Sequence, residues 1–303
     1  MIALSTAWNA WRHLNGADIV SEIKSLGFEK IELSFNLRKE TLAGIEAQVS
    51  RGLVGVTSLH NFCPIPDMLR AAEALPDYYS LSSLDEEERE IAVKYTKRTV
   101  EAAGRLNASA VVIHCGRVQM RDFTKGLADI FERGFASSPK YKREKEAMIG
   151  IRESKRGPHL ERLKKSIGAL VSYAEGFGVK IALENRYYYP EIPFIDEIDT
   201  LLKEFPNLFY WHDVGHAQNM ENLGFAKHED YLIRFGERLA GFHLHNIIKT
   251  RDHLPVQAGE FDFSKLKPYL KKDILLVIES HHPATAQEIM DGRVYLEELF
   301  GRI

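Results

Sequence analysis

Eight short apolar segments, rich in β-branched residues, recur along the chain and alternate with longer segments of helical periodicity. Because the segments are nearly continuously apolar, they are typical of strands that are buried on both faces of a parallel sheet. The predicted strands are residues 2–6, 30–35, 54–60, 109–116, 179–185, 208–216, 239–246 and 274–280.

Between these strands, apolar residues recur at spacings of three and four, which is the pattern of one helix face. The clearest example is the set Leu160, Leu163, Ile167, Leu170, Val171 and Ala174, which ends before Gly176 and Gly178. Further helices are predicted over residues 17–26, 41–51, 86–106, 195–204, 231–235, 263–270 and 284–299. Eight strands alternating with helices predict an α/β fold, a (β/α)₈ TIM barrel, as a single domain over residues 1–303.

Two segments are longer than a barrel connection requires. Residues 64–85 follow the third strand and residues 117–158 follow the fourth, so both are predicted as extended loops at the mouth formed by the strands' carboxyl ends. The second contains the charged run "KYKREKEAM". This run predicts a solvated helix rather than a binding surface.

The overall charge and composition exclude several classes of protein. A net charge of −3 provides no field that attracts nucleic acid or a membrane, and no apolar run approaches a membrane span. The N-terminus "MIALSTAWNAW" lacks the pattern of a signal peptide, and two cysteines cannot form a disulfide framework. We therefore expect a cytoplasmic protein with a small-molecule partner, and leave assembly into a homo-oligomer open.

Polar residues cluster where the predicted strands end. Glu32, Glu184, Asp213 and Glu279 lie at these ends. So do nine of the twelve histidines: His60, His114, His212, His216, His243, His245, His253, His281 and His282. A single residue of this kind is usually an ion pair or a satisfied polar group, but in a barrel all these ends converge. Histidine and carboxylate ligands together predict a divalent ion, whose charge compensates the buried carboxylates.

Strand alternation narrows the choice of ligands only in part. His243 and His245 are two residues apart and point to the same side, so periodicity does not separate them. His212 and Asp213 point to opposite sides, so one of the two faces the barrel axis. His281 and His282 follow Glu279 closely and are interpreted as loop residues near a substrate.

The segments "IALEN", "HDVGHA", "GFHLHN", "DHLPVQAGEFDF" and "LLVIES" resemble motifs of the xylose isomerase-like TIM barrel superfamily. This superfamily includes sugar phosphate isomerases, ketose 3-epimerases and AP endonucleases of the endonuclease IV type. The resemblance to the ketose epimerases implies one divalent ion (Mn, Zn, Mg, Co or Fe) held by Glu184, Asp213, His245 and Glu279. It favours His245 over His243 because the family's ligand is the second histidine of its matching segment.

The resemblance also implies an activity. A sugar, sugar phosphate or related polyol would be isomerised or epimerised through an enediolate, with Glu184 and Glu279 transferring the proton. The expected substrate-binding residues are His60, His114, His216, Arg186, His253 and Trp8. Phe62 and Tyr187–Tyr189 are candidates for pocket walls, and Lys249 and Arg251 join Arg186 as candidates to bind a phosphate or carboxylate.

Two alternatives stay open. The first is a metal-dependent hydrolase of the AP endonuclease type, for which His60, His114 and His216 are the additional metal ligands. Its third metal site requires an aspartate two residues before His253, where this chain has Arg251, and the departure weighs against a third ion. The loops after the last four strands are more acidic than basic, so no nucleic-acid partner is expected. The second alternative is a non-catalytic barrel that binds a sugar.

Overall fold

Eight parallel strands form a closed barrel in the computed structural model, which describes residues 1–301. The strands are β1 (Ile2–Ser5), β2 (Lys30–Leu33), β3 (Gly55–His60), β4 (Ala110–Ile113), β5 (Lys180–Glu184), β6 (Leu208–Asp213), β7 (Leu239–Leu244) and β10 (Leu275–Ile278). Each strand pairs with the next along this series, and β10 pairs with β1 to close the ring. The predicted (β/α)₈ barrel is confirmed, and the last two residues of the predicted domain, 302–303, lie outside the described residues.

Helices surround the barrel. They are α1 (Gly16–Ser25), α2 (Lys39–Ser50), α3 (Glu86–Arg105), α4 (Thr124–Glu132), α5 (Pro139–Glu175), α6 (Ile195–Glu204), α7 (Val214–Asn222), α8 (His228–Phe235) and α9 (Ala286–Phe300). Residues predicted as a helix at 263–270 form a 3₁₀ helix over Phe263–Tyr269 instead. In the part of the chain that is described, no helix is both long and apolar enough to cross a membrane.

The sixth strand is shorter than the sequence predicts. Residues 214–216, predicted as its end, already belong to α7. The Asp213 side chain accepts a hydrogen bond from the backbone N–H of His216 at 2.7 Å, so it caps this helix. A second difference is a hairpin after β7, formed by β8 (Asn246–Ile248) and β9 (Arg251–Leu254), which the sequence analysis did not predict.

Small side chains and one large ring fill the barrel interior. The buried interior cluster consists of Ala3, Ala110, Val112, Ala182, Trp211, Ala240 and Val277. A Cβ atom at Gly241 would lie 2.5 Å from Cζ3 of Trp211, so only glycine on β7 leaves room for this ring. These side chains thus fill the barrel interior beneath the mouth, and the polar residues occupy the open carboxyl end of the barrel.

The long segment after β4 contains α4 and the first half of α5. The charged run is helical, as predicted, but α5 also buries polar side chains. Arg152 is 1% exposed, and its guanidinium donates hydrogen bonds to both carboxylate oxygens of Glu197, at 2.9 and 2.7 Å. It also donates to the carbonyls of Tyr189 and Glu191, each at 2.9 Å. Arg152 therefore joins α5 to α6 and to the loop between β5 and α6.

We expect the substitution Arg152→Met to lower the free energy of unfolding by about 3–5 kcal/mol, because it leaves the buried Glu197 carboxylate without its main partner. Urea unfolding followed by circular dichroism measures the loss. Arg143→Met, at an exposed position of the same helix, should stay within about 0.5 kcal/mol of wild type. Equal urea midpoints for the two variants would contradict a stabilising role for Arg152.

Candidate metal and substrate site

A cavity of about 300 Å³ opens at the carboxyl end of the barrel. Seven of the predicted site residues line it: His60, His114, Glu184, Arg186, His216, His253 and Glu279. Asp213 and His245 are fully buried beside it. Most of these residues are either the last of a strand or the first after it, and for this reason the closing of the barrel brings them together.

Only some of the aromatic residues predicted to line the pocket lie in the cavity. Tyr187 and Tyr188 line the cavity, together with Phe35, Asp252 and His281. Trp8 does not, and this prediction is corrected by the structure. Its indole is 1% exposed, packs in the main core and donates a hydrogen bond to the Ala284 carbonyl at 2.8 Å. Phe62 is likewise a core residue.

Four buried residues form the largest group of candidate ligands among the described residues. One ligand atom from each of Glu184, Asp213, His243 and Glu279 lies within 4.8 Å of the others. The resemblance to the ketose epimerases favours His245 for this set, whereas the structure groups His243 with the three carboxylates. Nδ1 of His243 lies 3.2 Å from Glu279 Oε2 and 3.8 Å from Asp213 Oδ2.

His245 contacts the same aspartate. Its Nε2 lies 3.0 and 2.9 Å from the two carboxylate oxygens of Asp213. His245 also belongs to a smaller candidate group with His253 and Glu279. A Cβ atom at Gly215 would lie 2.2 Å from Cε1 of His245, so the glycine in "HDVGHA" leaves room for this ring. Both histidines therefore lie near Asp213, which agrees with two side chains that point to the same side of their strand.

The cluster contains more negative than positive charge. Glu32 adds a fourth buried carboxylate, 3.0 Å from Nε2 of His243. Burial alone would lower the pKa of His243, but the charges of Glu279, Glu32 and Glu184 raise it well above its ordinary value. Burial raises the pKa of Glu279 well above its ordinary value, and Glu32 and Glu184 add to this. Four carboxylates and one imidazole, which ligates a metal in its neutral form, are a donor set that fits a divalent cation.

A second group consists of His60, His114 and Glu184. Nε2 of His114 lies 2.5 Å from Oε2 of Glu184, and Nε2 of His60 lies 3.7 Å from the same oxygen. Arg186 also reaches this oxygen, to which its Nη1 donates at 2.8 Å. The predicted substrate-binding arginine thus lies inside a group of candidate metal ligands.

A third group of candidate ligands consists of His216, Asp252 and His253. It contains Asp252, which is adjacent to Arg251, the residue at the position where the endonucleases have an aspartate. Oδ2 of Asp252 lies 3.6 Å from Nε2 of His216 and 3.7 Å from Nε2 of His253. His253 has a φ of 52°, a left-handed conformation that is uncommon for a residue with a side chain. The hairpin backbone therefore brings together residues whose spacing differs from the expected one.

Neutral imidazoles surround these groups. The ring of His253 stacks on His245 with centroids 4.0 Å apart and on His281 at 3.8 Å. Burial lowers the pKa of His245 to about 4 and that of His253 to about 3. Burial likewise lowers the pKa values of His114 and His216 well below the ordinary range. Neutral imidazoles can ligate a metal or hydrogen-bond to hydroxyl groups.

A sequence model of the family described as xylose isomerase-like TIM barrel matches residues 20–298. The chain belongs to this family. The resemblance inferred from the motifs is thereby confirmed.

Solved structures of the xylose isomerase-like fold cover almost the whole chain. A D-tagatose 3-epimerase-like protein has a TM-score of 0.69 and 18% identity, covering 98% of this chain and 96% of that one. A 3-keto-D-glucoside 4-epimerase from E. coli has a TM-score of 0.68 and 17% identity, covering 98% of both chains. An L-ribulose 3-epimerase has a TM-score of 0.69 and 13% identity, covering 99% and 94%. At these identities the likeness establishes a shared fold.

One curated relative is similar in sequence. An uncharacterized protein of Methanocaldococcus jannaschii is 25% identical over 215 residues, which is 69% of this chain. The match spans 64% of that protein, less than two thirds of its length.

Asn185, within the family motif "IALEN", positions the ligands and was not assigned a role from the sequence. Its side chain accepts a hydrogen bond from the backbone N–H of Asp213 and donates one to the Asp213 carbonyl, both at 2.8 Å. Its own carbonyl accepts from Nδ1 of His216 at 3.0 Å. Behind it, Tyr210 joins Asn185 to His212, and His212 contacts His228 at 3.0 Å. His212 therefore faces away from the barrel axis, and Asp213 faces the site.

We predict that His228 makes the fold sensitive to acid. Burial lowers its pKa from 6.5 to about 3, so the folded protein holds it neutral while the unfolded chain takes up a proton below pH 6.5. Stability is therefore lost as the pH falls from 6.5 towards 3, by about 2 kcal/mol between pH 7 and pH 5 for this one group.

Urea unfolding at both pH values measures the effect. His228→Gln keeps a hydrogen-bonding side chain without an imidazole, so it should lose less stability than wild type between pH 7 and pH 5. Gln at the exposed His282 is the control for replacing an imidazole. An unchanged pH dependence in His228→Gln would contradict the prediction.

Proposed function

We propose that this protein is a divalent-metal-dependent isomerase or epimerase that moves a proton next to the carbonyl of a sugar, sugar phosphate or related polyol. The grouping of Glu184, Asp213, His243 and Glu279 beside a cavity of about 300 Å³ carries the proposal. A cavity at the lower end of the range for small-molecule sites suits a single sugar unit. The structural neighbours that are named as sugar epimerases support the same reading.

The two glutamates would transfer the proton. A divalent ion in this cluster would act as a Lewis acid on the carbonyl and hydroxyl oxygens of the substrate. Glu184 ends β5 and Glu279 follows β10, with β6 and β7 between them in the barrel, and both line the cavity. One takes the carbon-bound proton and the other delivers one, either to the opposite face or to the neighbouring carbon.

The remaining cavity residues would bind and orient the substrate. His60, His114, His216 and His253 line the walls, and neutral imidazoles both donate to and accept from sugar hydroxyls. Tyr187 and Tyr188 cover part of the opening. The buried position of the acid and base groups restricts the access of water to the reacting carbon.

A second candidate function is metal-dependent hydrolysis of the AP endonuclease type, which the grouping of His216, Asp252 and His253 favours. Binding a duplex requires cations that are available to phosphates. At the mouth, however, Arg186 is paired with Glu184 and Glu191, and Nζ of Lys249 donates to the Glu132 carbonyl at 2.9 Å. The sugar reaction is therefore the better-supported function.

Metal content tests the first part of the proposal. We expect protein purified without chelator to hold about one equivalent of divalent metal by elemental analysis. Asp213→Asn, which can still cap α7, should weaken metal binding by more than ~10-fold, a loss that removal of even an outer-sphere partner can cause. Glu229→Gln, on the exposed surface of α8, is the control and should bind like wild type.

Single substitutions by Gln at His243 and at His245 distinguish the two candidate imidazole ligands, because the true ligand shows the larger loss of affinity. Three equivalents of zinc in the wild type would favour the hydrolase. No bound metal at all would exclude both metal-dependent functions.

Deuterium exchange tests the chemistry. With metal present, we expect incorporation of solvent deuterium at a carbon beside the carbonyl of at least one ketose, sugar phosphate or inosose, measured by NMR. Glu184→Gln and Glu279→Gln should each reduce the rate by ~10²–10⁴-fold, because glutamine keeps the shape but cannot accept the proton.

An abasic-site duplex is the contrasting substrate, and no cleavage is expected at physiological salt with zinc or manganese. Cleavage by wild type but not by Glu184→Gln would establish the hydrolase instead. A loss well below tenfold in either glutamine variant would remove that residue from the proton-transfer role.

A further inference from the structure

We propose that the guanidinium of Arg186 occupies a position that a second metal ion would otherwise take among His60, His114 and Glu184. The inference rests on the proposed function only in assuming that the neighbouring four-residue cluster binds an ion. It concerns how many ions the site holds, and it assigns to Arg186 the role of excluding one of them.

The two histidines of this group both approach one carboxylate oxygen of its third member, Glu184. All three side chains are buried, and their ligand atoms lie within 4.8 Å of one another. Oε2 of Glu184 is the shared point, 2.5 Å from Nε2 of His114 and 3.7 Å from Nε2 of His60. Without another cation nearby, this arrangement would suit zinc.

Arg186 fills this space. Its Nη1 donates to Oε2 of Glu184 at 2.8 Å and also contacts Nε2 of His114. A zinc ion bound to these two atoms would lie about 2.0–2.2 Å from each. Since Nη1 already contacts both, the ion and the guanidinium cannot be accommodated together. The guanidinium also stays charged at any physiological pH, so repulsion adds to the steric conflict.

The arginine is held in place from behind. Its Nη2 donates to Oε1 of Glu191 at 2.9 Å, and Glu191 is itself buried. Oε2 of Glu191 accepts from the backbone N–H of Tyr188 at 2.7 Å, and the Glu191 carbonyl accepts from Arg152. Displacing Arg186 would therefore leave a second buried carboxylate, Glu191, without its closest cationic partner, since Arg117 lies 3.9 Å away.

The other oxygen of Glu184 has a different environment. Oε1 faces His243 and the four-residue cluster. Within residues 1–301, neither Asp213 nor Glu279 has a hydrogen bond or ion pair to a lysine or arginine. Oε2 of Glu184 thus faces a fixed organic cation, whereas Oε1 faces the four-residue cluster. A second ion beside Oε2 is therefore excluded.

Counting zinc tests the proposal. Wild type and Arg186→Met are equilibrated with excess zinc, desalted and analysed by inductively coupled plasma mass spectrometry. Methionine preserves much of the side-chain length without the charge, so the variant should hold one equivalent more than wild type. Arg186→Lys retains a cation and should match wild type. Adding His114→Ala to Arg186→Met should remove the extra equivalent.

Anomalous diffraction at the zinc edge locates the ions and does not depend on the variant folding. Zinc-soaked wild-type crystals should show no peak among His60, His114 and Glu184. A peak there, or an unchanged zinc count in folded Arg186→Met, would overturn the inference. Failure of every sugar to react would overturn the proposed function and leave the difference in zinc count intact, so the two failures are distinguishable.

Discussion

The arrangement of the barrel mouth depends on the contacts that compensate the buried carboxylate of Glu184. Buried beside three other carboxylates, it would be strongly destabilising unless cations lay next to it. Its two oxygens face two different cationic surroundings: His243 with the proposed metal cluster on one side, and Arg186 on the other. The positions of His114, His243 and Arg186 follow from satisfying this one group.

The fold supports this arrangement from below and from behind. Alanines and Trp211 fill the barrel interior and provide a closed floor, so that the polar residues can collect only at the open end. Behind the site, Arg152 of α5 holds the loop that carries Glu191, and Glu191 holds Arg186. The insertion after β4 therefore forms part of a continuous series of buried polar contacts that ends at the site.

Most of the histidines at the mouth are uncharged and surround the buried carboxylates and His243. Burial lowers the pKa values of His114, His216, His245 and His253, whereas the neighbouring carboxylates raise the pKa of His243. Neutral rings can hydrogen-bond to hydroxyl groups without repelling a cation, which is suited to a metal site that also binds a polyhydroxy ligand. Neutral imidazoles are also suited to metal ligation. The cluster of His216, Asp252 and His253 therefore leaves metal-dependent hydrolysis as an alternative function.

The sequence by itself determined the barrel, because eight apolar runs alternating with helical periodicity leave few other ways to bury the strands. It also predicted the convergence of Glu184, Asp213 and Glu279, since strand ends meet wherever such a barrel closes. Only the tertiary structure decided the rest. His243 and His245 share one side of a strand, so their distance from the carboxylates had to come from three dimensions. Asp252 joins its group through the backbone path of a hairpin, and Trp8 lies in the core rather than the cavity. Arg152 is buried although it lies on the same helix as the charged run that predicts a solvated surface. In each case the deciding contact joins residues that are distant in sequence or depends on a local backbone conformation, and neither is encoded in the spacing of residues along the chain.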